Sequence, residues 1–237
     1  MGTKIKPRIR TVRTEMDFNH QGKILTAAHP FYGPANSKTL KKLIMADRLR
    51  EPTASETVSF AHEYFLGEEP QAQEVTGIMK ERYFRGFTGV LFVPENNGKG
   101  LAHFINYPEF DGRSVVNTQN LIERIGESYA QVSFEYLKEG VVPWNEVAKQ
   151  PYFVAFGQGK EGAEKLAELV SKHPRREAYA AIPNLSKMKN PESRVAVLDS
   201  GWGGDRLGVD FLDLGDNEGG FAFGVSGVSE ANDATRK

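Results

Sequence analysis

PYFVAFGQGKEGAEKLAELVSKHPRREAYAAIP, residues 151–183, is the stretch from which the rest of the chain is read. Tyr152 to Phe156 form a short aromatic and β-branched run, the composition of a buried strand. Gly157 ends it, and GQGKEG then meets the spacing G-x-G-x-x-G. Ala163, Leu166, Ala167 and Val170 recur at i, i+3, i+4 and i+7, one face of a helix. Lys172, His173 and Pro174 close that helix, because cations suit its negative end and proline cannot extend it. The stretch therefore reads as strand, glycine loop, helix, strand.

Gly157, Gly159, Lys160 and Gly162 are the candidate binding residues of that loop. Backbone N–H groups at a helix start, the helix dipole and a lysine together suit a phosphate-bearing small molecule. A dinucleotide site would add a carboxylate at the end of the next strand, where this chain has Ile182, Pro183 and Asn184. The phosphate loop GxxxxGK[ST] is absent, and no cofactor is identified.

The chain has 237 residues, 39% of them hydrophobic and 26% charged, so it is long enough and apolar enough to bury a core. No run approaches the roughly 18 apolar residues of a membrane span, and the first residues lack the apolar core of a secretory signal. The expectation is a soluble, cytoplasmic protein. Cysteine is absent, which excludes disulfides, thiolate nucleophiles and cysteine-ligated metals.

Charge is unevenly spread. Lys4, Lys6, Arg8, Arg10 and Arg13 crowd the first fifteen residues, a basic arm; without them the chain holds 25 basic against 31 acidic residues. Such an arm suits nucleic acid or another polyanion.

Residues 16–226 read as one α+β domain, with any subdivision near 108–113 and a disordered tail over 227–237. HPFYGP, at 29–34, reads as a loop. Helices are expected over 37–50, 53–66 and 70–85, the second opened by a capping box of Thr53 and Glu56. Residues 89–93 and 101–107 read as a hairpin, and 118–139 as the longest helix. Residues 194–199, 206–214 and 220–225 read as a C-terminal β-meander joined by SGWGG and GDNEGG. The expected architecture is a helical N-terminal half packed on an antiparallel or mixed sheet.

The catalytic motifs fail at required positions. His29 begins HPF, which resembles the opening of the Fic-type nucleotidyl transferase motif, but the acid, GNGR and arginine that should follow are missing. His62 and Glu63 lack the second histidine of a zinc protease, since that position is Leu66. The acidic run Asp199, Asp205, Asp210, Asp213, Asp216 and Glu218 does not match a calcium loop, and no metal is assigned. Trp202, between glycines, is a candidate stacking residue. The chain reads as a ligand-binding or interaction protein. The alternatives are a nucleic-acid or polyanion-associated protein and an enzyme acting on a phosphorylated or nucleotide substrate. If the arm binds nucleic acid, affinity for RNA or DNA falls steeply with salt and deletion of residues 1–14 abolishes it. Equal retention by truncated and full-length chains in a filter-binding assay would eliminate that role.

Overall fold

Thr14–His20 (β1) and Lys23–Ala35 (β2) open the structure as a hairpin, paired from Thr14↔His29 to His20↔Lys23. Met16, Phe18 and His20 alternate inward along β1. Gln21 and Gly22 both take positive φ, 51° and 72°, the requirement of a two-residue hairpin turn. HPFYGP is therefore strand and not loop. Its two prolines lie in the part of β2 beyond the hairpin pairing, where the register with the last strand is broken by bulges. The computed structural model describes residues 13–95, 98–200 and 205–226. Lys4, Lys6, Arg8, Arg10, Trp202 and the tail 227–237 lie outside them.

Three helices follow. Ser37–Ala46 (α1) is capped by Asn36, whose side chain accepts from the Thr39 N–H. Ala54–Tyr64 (α2) is opened by the Thr53/Glu56 capping box, with both reciprocal bonds present. Pro70–Glu81 (α3) has proline in its first turn. In α2 every residue from Ala54 to Ala61 is buried, so this helix is enclosed on all sides.

Tyr83–Pro94 (β3) is the trunk of a ten-stranded sheet. One of its edges carries Glu192–Asp199 (β8), antiparallel. The other edge forks. Tyr83 and Phe84 pair with Gly220–Ser226 (β10), which leads on to β2 and β1, whereas Thr88–Pro94 pair with Gly100–Asn106 (β4). Beyond β8 come Leu207–Asp210 (β9), Glu177–Ala181 (β7) and Gly140–Pro143 (β6).

The expected helical half packed on a sheet is thus replaced by one large mixed sheet with helices on it. The C-terminal strands exist, but they are no meander: β8 and β9 are neighbours, whereas β10 crosses to the other side of β3. The expected 118–139 helix is Thr118–Glu123 (α4), a 3-10 turn and the strand Ala130–Ser133 (β5). Arg124 ends the helix by donating to the Tyr107 and Asn106 carbonyls, and β5 supplies the pairing that β4 needs on its outer edge. The run expected as a strand, Pro151–Phe156 (α6), is a helix. It follows Trp144–Val147 (α5) and precedes Lys160–Ser171 (α7). Pro151 sits in its first turn, and a six-residue apolar run fits either period. The unit is helix, loop, helix, strand.

Alternation along the strands separates two faces. Phe84, Leu198, Val209 and Ala180 are cross-strand neighbours forming one inward row, all fully buried in the core with α2 and α7. Arg85, one residue on, points to the opposite face and is itself completely buried. Its guanidinium donates to the Ser37 hydroxyl, to the Gly215 carbonyl (2.8 Å), to the Asn217 carbonyl (2.7 Å) and to Asp213 (2.9 Å). Removing one member of a buried pair strands the other. Arg85→Ala is expected to destabilise the protein by about 3–5 kcal/mol, and Arg85→Lys to recover only part of that, because an ammonium cannot reproduce the fork. Urea denaturation checks this; a loss of under about 1 kcal/mol for Arg85→Ala would show that the pair is not what anchors the 213–217 segment.

Candidate functional site

The face that carries Arg85 is polar where the other is apolar. Tyr83, Asp199, Gly208 and Tyr179 form one row across β3, β8, β9 and β7, and Arg85, Val197, Asp210 and Ala181 form the next. At the β3–β4 end α4 covers this face, with Leu121 packed among Leu91, Ile105 and Val195. Toward β7, among the described residues, it is hollow. A cavity of about 370 Å³ is lined by Tyr179, Asp199, Asp205, Arg206 and Asp210, among others. A second, of about 300 Å³, adjoins it and is lined by Tyr83, Asp213, Asp216 and again Asp199 and Asp210. Asp199 and Asp210 thus form the floor shared by both.

Glycine at 208 creates that floor. A Cβ on Gly208 would collide with the Asp199 carboxylate, so the missing side chain gives the carboxylate its place over the backbone of β9. The cations around the first cavity have carboxylate neighbours: Arg175 meets Asp205 at 3.3 Å and Arg206 meets Glu177 at 3.8 Å. Tyr179 donates to Glu139 at 2.7 Å, which leaves its ring along the cavity wall.

Asp210 is a perturbed acid on that floor. Its carboxyl is pushed up to about 6, chiefly by burial and also by the nearby charges of Asp199 and Asp213, against the Leu212 N–H at 2.5 Å, which lowers it. The folded state therefore binds this proton more tightly than the unfolded chain does.

The sequence-derived glycine loop has a different character. Gly157 and Gly162 face each other so closely that a Cβ on either would overlap the other's backbone, and Gly159 takes φ 120°. The N–H groups of Gly157, Gln158 and Gly159 donate back to the carbonyls of Phe153, Ala155 and Val154, closing α6. Lys160 is exposed and paired with Glu164 at 3.4 Å. Backbone packing and helix termination account for all three glycines of the spacing.

Arg13 is the one described member of the five arm cations, and it pairs with Asp47 at the end of α1. His29 meets Glu74 of α3 at 2.8 Å, and His62 meets Glu168 of α7 at 2.7 Å. Among the described residues no three His, Asp or Glu side chains form a group able to hold a metal ion. None of the described helices is long and apolar enough to cross a membrane. The acidic residues of the floor were visible in the sequence; Tyr83, Tyr179 and Gly208 were not singled out, although alternation in EAYAA, residues 177–181, was a signal for Tyr179.

Between about pH 4 and 6 stability is expected to fall as pH rises, because the native state holds the Asp210 proton and loses it there. Asp210→Asn keeps an oxygen for the Leu212 N–H, flattens that dependence and gains on the order of 1–3 kcal/mol at neutral pH. Urea midpoints at pH 4.5 and 7 for parent and variant decide this. A pH slope unchanged by the substitution would place the titrating group elsewhere.

No family model and no curated protein matches the chain. Among solved structures, the chain is similar to one described as "Accommodation of massive sequence variation in Nanoarchaeota by the C-type lectin fold". The TM-score is 0.54 at 12% identity, over 93% of this chain and 99% of that one. The likeness concerns the fold.

Proposed function

We propose, with the C-type lectin fold as premise, that this chain is a ligand-binding protein and that its recognition surface is the polar sheet face around Asp199 and Asp210. The observation that carries the reading is the pair of carboxylates on a floor shared by two adjoining cavities, with a tyrosine on each flank. Carboxylates crowded in a partly dry site favour a cationic group, and a guanidinium is suited because its planar fork can engage both oxygens of a carboxylate. The ligand class is therefore an arginine-like or amine-bearing group, presented by a small molecule or a polypeptide.

Binding is favoured over catalysis by the state of the serine–histidine pairs. His20 and Ser59 lie 3.0 Å apart and His173 and Ser200 3.2 Å apart, but all four residues are buried, out of reach of a substrate. The separation of frame from floor also agrees with the words used of the neighbouring structure, a fold that accommodates massive sequence variation.

Titration with arginine amide, followed by NMR, is the test. Weak binding, with Kd on the order of 1 mM, is expected for a lone guanidinium. It should weaken about tenfold or more when Asp199 and Asp210 are both changed to Asn, and the uncharged citrulline amide should not bind. Equal binding of the two amides, or no effect of the double substitution, would overturn the reading.

A further inference from the structure

Among the described residues β1, β6 and β5 each pair with a neighbour on one side only. A strand placed so turns the N–H and C=O groups of alternate residues away from the sheet, where they invite another strand.

Two of these edges are answered within the fold. Across the two-residue turn His20 pairs with Lys23, so it is Asp17 and Asn19 whose carbonyls face away from β2. The Tyr64 hydroxyl donates to the first at 2.6 Å and the Lys165 ammonium to the second at 2.8 Å. On β6 the Trp144 N–H donates to the Arg176 carbonyl at 3.0 Å, one step beyond the pair Pro143↔Glu177. Position 143 therefore faces outward, and proline has no N–H to offer there.

The third edge has neither device. The strand β5, with sequence AQVS, carries no proline and no charge, and it pairs with β4 alone. A groove of about 540 Å³ lies beside it, with Ala130, Gln131 and Val132 on one wall and Pro151, Val154 and Ala155 on the other. The last three recur at i, i+3 and i+4 and so share one face of α6. Lys149 is the one charged residue among those described in the lining. Its partner Glu146, at 2.9 Å, stands outside the lining, and an ion pair as exposed as this one exchanges readily for another. The groove shares no residue with the acidic trough that the two cavities form around Asp199 and Asp210.

Donors and acceptors alternating along a strand edge are matched by the backbone of another extended chain, and a helix on the far side of the groove then meets every second side chain of that chain. We propose that the β5 edge docks an extended polypeptide segment of a partner protein as an additional strand, with apolar residues toward α6 and an acidic residue beside Lys149. The hydrogen bonds of the ladder supply affinity for any extended backbone, and the apolar wall with its single cation supplies the choice of sequence.

Backbone amide exchange of the full-length chain, followed by NMR, tests this. The probe is an acetylated, amidated peptide of alternating valine and threonine with one glutamate at its centre. In the free chain the outward N–H groups of β5 should exchange rapidly, and the peptide should protect them with a Kd on the order of 1 mM. The same peptide N-methylated throughout cannot form a ladder and should not bind. Val154→Phe, which fills the groove from the α6 side, should abolish binding. Lysine in place of the glutamate should weaken the peptide about two- to fivefold, and Lys149→Glu should reverse that preference. Amides of β5 already protected in the free chain would mean that the chain itself covers the edge, or a second copy where protection grows with protein concentration, and either result refutes the proposal. No protection at millimolar peptide, equal binding of the N-methylated peptide, or a charge preference unmoved by Lys149→Glu would overturn it as well.

Discussion

A single buried guanidinium joins parts of the chain that no strand pairing connects. Arg85 lies on β3, Ser37 opens α1, and Asp213, Gly215 and Asn217 belong to the segment between β9 and β10. An arginine cannot shed its proton to lower the cost of burial, so its surroundings must supply acceptors in the directions the fork dictates. Two backbone carbonyls, the Ser37 and Tyr83 hydroxyls and a carboxylate do so. The constraint extends to Gly220, where a Cβ would press on the Arg85 side chain, and from there to Gly33, where one would meet the Gly220 carbonyl. Sequence around 33, 37, 85, 213 and 220 is in this sense one unit.

Frame and trough depend on opposite faces of the same strands. Phe84, Leu198, Val209 and Ala180 hold the frame; Tyr83, Asp199, Gly208, Asp210 and Tyr179 shape the trough. A substitution at Tyr83, Asp199 or Tyr179 removes less apolar burial than one in the first set, so it bears more on what the surface recognises than on whether the chain folds. Arg85 is the exception, since it lies on the trough side but acts as frame.

Local signals in the sequence were legible where one segment determined its own structure. The capping box at Thr53 and Glu56, the proline start of the helix at 70 and the turn of the 89–107 hairpin formed where expected, but that helix ends at Glu81 instead of 85 and the strand that follows begins at Tyr83, so Arg85, expected in the helix, lies on β3. Errors arose where tertiary pairing chose between local options. Residues 130–133 carry helical spacing, yet they are strand because β4 needs a partner there; the 151–156 run lacked the length to distinguish a buried helix from a buried strand. The prolines of β2 masked a strand whose partners are β1 and β10. For the site, the acidic residues were countable, but the convergence of Asp199 and Asp210 depends on the register in which β8 and β9 pair, and the approach of Tyr179 on β7 running parallel to β9, which composition does not encode.

The fork in β3 has a temporal consequence. The β1–β2 hairpin reaches the rest of the sheet through β10, and Ser226 meets Thr26 across 200 residues of chain. During synthesis from the N-terminus, β2 therefore emerges long before its second neighbour exists, with the edge that β10 will cover still open. At about 5–20 residues per second that interval lasts some 10–40 s. A strand edge left open that long is a surface for wrong partners, and the bulges and prolines that disturb its regularity interrupt the ladder that an intruding strand would have to copy.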